Sequence, residues 1–210
     1  MSNGWTGRVS ARRPVSALGT LALGLWLAAG CADPTLAGAC DYECPVVSGA
    51  CTSQPTLATG SSCDVGDALP GRVLSNCCGR LVSLADVVCR SRATVVELGA
   101  GWCAECRKMA PDFNRWHSEH ADLGLVQVLR DTEQAGEPAT REFCSCWGAE
   151  LGTRFTLLID PSDQLTTACA SGGLPTTLVV SSDGRITAKI TGEAPSEIEA
   201  AFSELLDSTR

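Results

Sequence analysis

The sequence is short of basic residues. It contains 16 Lys and Arg against 24 Asp and Glu, which gives a formal net charge of −8 over 210 residues. Three of the basic residues and none of the acids lie in residues 1–30, so the rest of the chain is more acidic still. Proteins that bind nucleic acids or anionic lipid surfaces neutralise phosphates with Lys and Arg. The composition therefore argues against both classes of partner.

Metal-binding and phosphate-binding patterns are scarce outside the cysteines. The only two histidines, His117 and His120, are three positions apart in one predicted helix, and no third ligand is evident. We therefore expect both to be exposed or packed rather than metal-bound. The turns rich in proline and glycine show no phosphate-binding loop. The sequence predicts neither a metal nor an organic cofactor.

No apolar run is long enough to cross a bilayer as a helix. The run Val15–Ala29 covers about 15 residues, whereas a spanning helix needs roughly 20. Arg8, Arg12 and Arg13 precede the run, and no acid accompanies them. A positive segment followed by a short apolar one is typical of a secretory signal peptide, which we predict over residues 1–30.

The apolar run ends in Leu27-Ala-Ala-Gly-Cys31, which resembles the box at which bacterial lipoproteins are cleaved and lipidated. By this resemblance Cys31 is the lipidation site. The mature chain would then be lipid-anchored in the bacterial cell envelope and face the periplasm. Two alternatives stay open: cleavage at another site, such as after Ala32 or Ala39, and an uncleaved anchor. Under each of these three interpretations the sequence predicts export.

Thirteen cysteines are the strongest compositional signal. In an exported protein so many cysteines indicate disulfides rather than metal sites. Besides Cys31, four of them, Cys40, Cys44, Cys51 and Cys63, lie in a predicted Cys-rich extension and spacer over residues 31–66 that shows no helical or strand periodicity. Such a segment cannot bury enough apolar surface to fold unaided, so we expect disulfides to hold it. Zinc bound by Cys40 and Cys44 is the competing interpretation.

Residues 67–207 show the alternating pattern of an α/β domain. The run 93–99 is rich in β-branched residues, as in a buried central strand. Residues 103–120 form a predicted helix with Met109, Phe113 and Trp116 on one face. We predict a mixed central sheet flanked by helices. The remaining predicted strands are 72–74, 80–84, 123–129, 155–159, 176–180 and 185–190, and the remaining helices are 138–151 and 196–206.

The segment Gly101–Pro111 carries the chemistry because it joins a hydrophobic strand to a helix. Its first cysteine, Cys103, stands at the helix N-terminus, where unpaired N–H groups and the helix dipole favour a thiolate. Cys106 lies three residues on, within the first turn. It can therefore attack a mixed disulfide formed at Cys103. Such a dithiol exchanges with a substrate disulfide in two steps without a cofactor.

The chain resembles the thioredoxin family, in particular its membrane-tethered TlpA-like redoxin branch of thiol–disulfide oxidoreductases. Five features occur in the family's order over about residues 67–207. They are Val82-Ser-Leu-Ala-Asp86, Trp102 before the first cysteine, Pro111 five residues after the second, the loop Gly173–Thr176, and Asp183-Gly-Arg-Ile186. The resemblance implies a thioredoxin fold with a Cys-rich N-terminal extension.

The resemblance also implies roles for residues of the dithiol motif. Cys103 would attack the substrate and Cys106 would resolve the mixed disulfide. Trp102 would cover the dithiol. Glu97, six residues before Cys103, would be the buried acid that relays a proton to or from Cys106. A buried carboxyl in a hydrophobic strand should have a raised pKa, although an ordinary edge or water-linked carboxylate is the alternative interpretation of Glu97.

The loop Gly173–Thr176 would face the dithiol in the same family. Pro175 would be cis and would hold the loop. Leu174 would then offer its backbone to an extended substrate segment, with Thr176 following it in the substrate-binding loop.

The sequence departs from the family between the two cysteines, where Glu105 stands in place of the usual proline. A carboxylate beside the dithiol opposes thiolate formation, whereas Arg107 and Lys108 favour it. Because a stabilised thiolate makes such a couple oxidising, Glu105 shifts the prediction towards a reductant.

Ten cysteines remain in the mature chain besides Cys103 and Cys106, which allows five structural bridges. Seven lie between residues 40 and 89 and three follow the dithiol, so at least one bridge must join these two groups if all pair. The adjacent Cys77 and Cys78 are expected to bond elsewhere. A second redox pair formed by Cys144 and Cys146 stays open, since the connectivity cannot be read from sequence.

The sequence therefore predicts an enzyme that exchanges disulfides on exported proteins, as a reductant supplied by an unidentified redox donor. A peroxiredoxin is disfavoured because Ala100 takes the threonine position of a Thr-x-x-Cys motif at Cys103, and a tandem pair stands there instead. The alternative is a non-catalytic, disulfide-rich lipoprotein that uses a thioredoxin-like scaffold for binding.

Overall fold

The structure, a computed structural model, describes residues 40, 42–46, 51, 54–60 and 62–208. The predicted signal peptide and Cys31 lie outside the described residues. Seven strands and five helices alternate along the described chain. In chain order they are β1 Val73–Asn76, β2 Leu81–Ser83, α1 Leu84–Val88, β3 Ala93–Gly99, α2 Ala104–Glu119, β4 Leu123–Leu129, α3 Arg141–Glu150, β5 Thr156–Ile159, α4 Gln164–Cys169, β6 Thr176–Ser181, β7 Ile186–Thr191 and α5 Pro195–Ser208.

All seven strands form one mixed sheet in the order β2-β1-β5-β4-β3-β6-β7. Strand β3 lies inside the sheet, where it pairs parallel with β4 and antiparallel with β6. Every residue of β3 and β4 is buried, as expected for strands covered on both faces. The predicted mixed sheet with flanking helices is confirmed.

Helices cover both faces of the sheet. On one face α2, α3 and α5 enclose a core that contains Met109, Phe113 and Trp116, the predicted apolar face of α2. On the other face α1 and α4 pack over a second cluster that includes Leu84 and Leu165. The site described below lies where β3 leads into α2, between these two layers.

Several elements differ from the sequence prediction. Leu84, predicted at the end of a strand, begins helix α1. Helix α3 begins at Arg141 rather than at Pro138, because Pro138 forms an isolated bridge with Asp131 and Thr140 caps the helix, its hydroxyl accepting a hydrogen bond from the Phe143 N–H at 3.1 Å. The short helix α4 was not predicted. The Asp160 carboxylate holds its start by accepting hydrogen bonds from the first three backbone N–H groups of the helix.

Disulfides fasten the N-terminal extension to the domain, as predicted. Six bridges pair all twelve cysteines of the described chain. Three of them join the earlier group of cysteines to the later group. The pairs are Cys40–Cys146, Cys44–Cys78, Cys51–Cys89, Cys63–Cys169, Cys77–Cys144 and Cys103–Cys106.

This connectivity answers three questions that the sequence left open. The adjacent Cys77 and Cys78 bond to different partners, as expected. Cys144 and Cys146 do not bond to each other, so no second vicinal redox pair forms here. Cys40 and Cys44 are both disulfide-bonded, which leaves no thiolate for zinc.

The extension also packs directly on the domain. Tyr42 is buried, and its hydroxyl donates a 2.6 Å hydrogen bond to the Phe155 carbonyl oxygen. Its ring packs against Gly148, where an added Cβ would lie 2.5 Å from the Tyr42 ring carbon Cδ2. Within the part of the chain that the structure describes, no helix is long and apolar enough to cross a membrane.

Candidate functional site

The turn from β3 into α2 presents the dithiol at the sheet edge. Gly101 occupies a tight position, because a Cβ there would lie 2.6 Å from the Thr132 carbonyl carbon and would also meet the Phe143 ring. The Gly101 and Trp102 N–H groups donate to the carbonyl oxygens of Asp131 and Thr132 at 3.1 and 3.2 Å. The segment after β4 therefore fixes the backbone that leads to Cys103.

Cys103 is the N-cap residue of α2. Its Sγ accepts a hydrogen bond from the Cys106 N–H at 3.1 Å. The sulfur thus takes the position in which a side-chain oxygen usually satisfies the first N–H groups of a helix. In the reduced state the same N–H and the 16-residue helix favour a thiolate at Cys103.

Both cysteines of the dithiol are buried in the oxidised state. They are bonded to each other in this structure, with an S–S distance of 2.05 Å. Cys103 is 2% exposed and Cys106 is completely buried. Cys103, at the start of α2, retains only this small exposed surface in the oxidised state.

The Gly173–Thr176 loop lies against the dithiol. The Leu174–Pro175 peptide bond is cis. Leu174 packs on a small buried cluster formed by Ala100, Cys103 and Cys106. Thr176 is buried, and its hydroxyl donates to the Gly173 carbonyl oxygen at 2.6 Å. The loop that the sequence predicted to face the two sulfurs thus places Leu174 against the cluster that contains them.

Trp102 forms an exposed apolar surface beside the dithiol. It is 43% exposed, and its indole N–H donates to the Asp131 carboxylate at 3.0 Å. The same carboxylate accepts from the Gly136 N–H and forms an ion pair with Arg130. The indole is therefore held in one orientation.

Glu97 is a completely buried carboxyl close to Cys106. The Gly99 position lies between them, because a Cβ there would be 3.3 Å from Glu97 Oε1 and 3.1 Å from Cys106 Sγ. Burial raises the pKa of Glu97 to about 8, and a hydrogen bond from Gln127 opposes the rise. A carboxyl with such a pKa can accept or release a proton near neutral pH.

Comparison with known proteins decides the family. The profile of the AhpC/TSA family matches residues 65–189, which is more than half of the chain. The chain belongs to the AhpC/TSA family. A curated relative of this AhpC/TSA protein is the thiol–disulfide oxidoreductase ResA of Geobacillus thermodenitrificans, 29% identical over 133 residues, which are 63% of this chain and 72% of ResA.

Solved structures agree with the fold. A protein described as the thiol:disulfide interchange protein DsbE of Chlorobium tepidum superposes with a TM-score of 0.59 at 24% identity, covering 71% of this chain and 100% of that one. The exposed lipoprotein thioredoxin Etrx1 of Streptococcus pneumoniae superposes with a TM-score of 0.54 at 22% identity, covering 65% and 98%. The predicted thioredoxin fold and membership of the thioredoxin-like thiol–disulfide oxidoreductases are confirmed.

The three charged residues predicted to tune the dithiol differ in their surroundings. Glu105 is exposed in the first turn of α2. Arg107 is ion-paired with Glu133 and Glu150 at 3.0 and 2.8 Å. Lys108 pairs with Glu193 at 3.1 Å. Since both cations have acidic partners of their own, their positive field at the dithiol is partly offset, and Glu105 acts against a weaker opposing charge than the sequence suggested.

Other sequence features of the AhpC/TSA chain lie away from the dithiol chemistry. His117 is exposed, and His120 packs edge to face against Phe202 at 5.4 Å between ring centroids. One Thr-x-x-Cys sequence occurs, at Thr166–Cys169. Its cysteine is completely buried in α4 and is bonded to Cys63.

Sequence reasoning missed two polar residues of the site, Asp131 and Gln127. Asp131 follows the end of β4, which runs parallel to β3, so both strands deliver side chains to the same edge. Gln127 is the only polar side chain in the buried run Leu123–Leu129. Each pattern is a usable signal, because a polar residue is costly inside an apolar strand unless it has a partner.

Proposed function

We propose that the chain reduces disulfides of exported proteins through the Cys103–Cys106 dithiol. One observation carries the proposal: Cys103 caps α2, and Leu174 of the loop that contains cis-Pro175 packs on the buried cluster that holds both cysteines. This arrangement offers a nucleophile and a neighbouring backbone segment to an extended substrate. Trp102 adds an exposed apolar contact beside them.

In the first step, the Cys103 thiolate attacks one sulfur of the substrate disulfide. A mixed disulfide forms between Cys103 and the substrate, and the second substrate sulfur leaves as a thiolate that takes up a proton. The Leu174 backbone pairs with the substrate chain and aligns its disulfide with Cys103, as in the addition of a strand to a sheet edge. Thr176 keeps the loop closed through its hydrogen bond to Gly173.

In the second step, Cys106 attacks the Cys103 sulfur and releases the other substrate sulfur as a thiol. Cys106 is buried and must first lose its proton, which the Glu97 carboxylate accepts. The products are a reduced substrate and the Cys103–Cys106 disulfide. A thiol donor in the same compartment must then reduce that disulfide for the next cycle.

The compartment follows from the sequence. A signal peptide with a lipoprotein-type cysteine, Cys31, supports a lipid-anchored protein of the bacterial envelope that faces the periplasm. Five structural disulfides besides the dithiol support an oxidising surrounding. The superposing Etrx1 is itself described as an exposed lipoprotein.

A trapping experiment tests the function in the cell. Cys106→Ser leaves the nucleophile but removes the resolving thiol, so substrates should remain attached to Cys103 as mixed disulfides. Non-reducing electrophoresis and mass spectrometry of the purified adducts would identify them. The Cys103→Ser/Cys106→Ser double variant is the matched control and should capture nothing. Equal capture by both variants would contradict the proposal.

A second experiment tests whether Glu105 makes the Cys103–Cys106 couple more reducing. Removing its charge with Glu105→Gln stabilises the Cys103 thiolate and should make the couple more oxidising, by on the order of 10–20 mV for an exposed charge. Equilibration with glutathione or dithiothreitol measures the potential. Glu204→Gln makes the same change on the exposed side of α5 and should leave the potential unchanged. A potential that is unaltered or more negative in Glu105→Gln would refute the role.

A further inference from the structure

Three polar side chains form a hydrogen-bonded row inside the core. Glu97 on β3 and Gln127 on β4 are register partners in the parallel pair, and Trp147 projects from α3. All three are completely buried. Gln127 Nε2 lies 2.8 Å from Glu97 Oε1, and Trp147 Nε1 lies 2.8 Å from Gln127 Oε1. The row therefore connects α3 with the carboxyl beside Cys106.

The direction of each hydrogen bond in this row is fixed by chemistry. An indole N–H can only donate, so the Gln127 atom that faces Trp147 must be the carbonyl oxygen. The Gln127 amide nitrogen must then face Glu97. Glu97 Oε1 thus always receives a donor, while Glu97 Oε2 has no hydrogen-bond partner among the described residues.

Trp147 is itself held firmly. Two disulfides, Cys77–Cys144 and Cys40–Cys146, anchor α3 immediately before it. The Arg107 guanidinium lies over its ring, 4.5 Å from the centroid. The indole N–H is therefore a hydrogen-bond donor of fixed position, and it orients the Gln127 carboxamide.

We propose that Trp147 is a positioning residue for disulfide exchange: it fixes the Gln127 carboxamide so that Gln127 donates to Glu97 Oε1, the oxygen on the Cys106 side of the carboxyl that exchanges the Cys106 proton. The proposal rests on the function proposed above. By this proposal Trp147, which lies on α3 and outside the dithiol motif, influences proton transfer at Cys106.

The physical consequence concerns the ionisation of Glu97. A fixed N–H donor stabilises the carboxylate form and so opposes the rise that burial produces in the pKa of Glu97. Without the indole, the Gln127 carboxamide is free to rotate. Its carbonyl oxygen would then face Glu97, and only a protonated carboxyl can satisfy that oxygen.

The test is an infrared titration of the oxidised protein. The carbonyl stretch of the protonated Glu97 carboxyl, assigned by its loss in Glu97→Gln, should disappear with a midpoint near pH 8 in the wild type. In Trp147→Phe the midpoint should rise by about one pH unit or more. Trp116→Phe is the matched control: Trp116 is equally buried in the same core, but its indole forms no hydrogen bond with Gln127. Its midpoint should stay at the wild-type value.

A second readout links the row to the reaction. The pH dependence of the Cys106 resolving step, followed by stopped flow from a preformed mixed disulfide, should move upward with the infrared midpoint in Trp147→Phe. An infrared midpoint equal to that of the wild type would overturn the proposal, and so would a shifted midpoint with an unshifted resolving step. Wild-type protein without any exchange activity would overturn the proposed function instead, whatever the infrared titration shows.

A further variant covers the case in which Trp147→Phe does not fold. Gln127→Met keeps the side-chain length and the indole but removes the donor to Glu97. It should raise the infrared midpoint in the same direction. An unchanged midpoint in a folded Gln127→Met protein would overturn the proposal.

Discussion

Replacing Cys103 with serine should abolish disulfide reduction, with a loss on the order of a thousand-fold or more, down to the uncatalysed background. Cys103 supplies the attacking sulfur, and Cys106 does not replace it because it lies inside the first turn of α2 rather than at the N-cap. A serine hydroxyl at the start of α2 remains protonated at neutral pH and does not attack disulfides. Insulin turbidity or a fluorogenic model disulfide, with dithiothreitol as donor, measures the loss.

The control must separate the dithiol from the other cysteines. The double variant Cys44→Ser/Cys78→Ser removes a bridge that involves the exposed Cys78 and leaves Cys103 intact. Its activity should stay within a few-fold of the wild type. Equal activity of the wild type and Cys103→Ser would contradict the enzyme and favour the alternative, a disulfide-rich scaffold that only binds its partner.

The dithiol and its loop were predictable because their signals are local. A buried β-branched run followed by Cys103 and Cys106 places the pair at a strand–helix join, and β4 was predicted with its observed bounds, Leu123–Leu129. The Gly173–Thr176 loop was predicted through a resemblance. The packing of Leu174 on the dithiol cluster is long-range, and only the assembled sheet brings β3 and β6 together.

The disulfide connectivity was not predictable, for a physical reason. Ten cysteines can pair in many ways, and the choice depends on which backbone segments the fold brings within about 6 Å. Two of the bridges, Cys40–Cys146 and Cys63–Cys169, close loops over a sequence separation of 106. The short helix α4 was not predictable for the same reason, because the residues that stabilise it, Asp160 and Cys63, lie outside the helix.

For Glu97, the sequence predicted the raised pKa but not the residues that surround the carboxyl. A carboxyl within a hydrophobic strand pointed to a raised pKa, and the burial of Glu97 agrees with that expectation. Its partner Gln127 lies 30 residues away and becomes a neighbour only through the register of β3 and β4. Trp147 enters through the packing of α3 on the sheet. Neither the Glu97–Gln127 nor the Gln127–Trp147 contact corresponds to a periodic pattern in the sequence.

The burial of Glu97 should make the stability of the folded chain depend on pH. Its pKa is about 8 in the folded chain and near 4.5 in the unfolded chain. Between these values the folded chain holds a proton that the unfolded chain releases, so the free energy of unfolding falls as pH rises through this window. The stabilising contribution is complete below about pH 4.5 and lost above about pH 8.

Glu97→Gln removes this titration and keeps the size of the side chain. Relative to the wild type, the variant should therefore gain on the order of 3–5 kcal/mol in the free energy of unfolding between pH 5 and pH 9. Guanidinium unfolding of the oxidised protein at a series of pH values measures the difference. Glu204→Gln makes the same change on the exposed side of α5, and its curve should run parallel to that of the wild type. Parallel curves for Glu97→Gln as well would mean that the carboxyl reaches water in the folded chain, and Glu97 could then not act as the buried proton acceptor for Cys106.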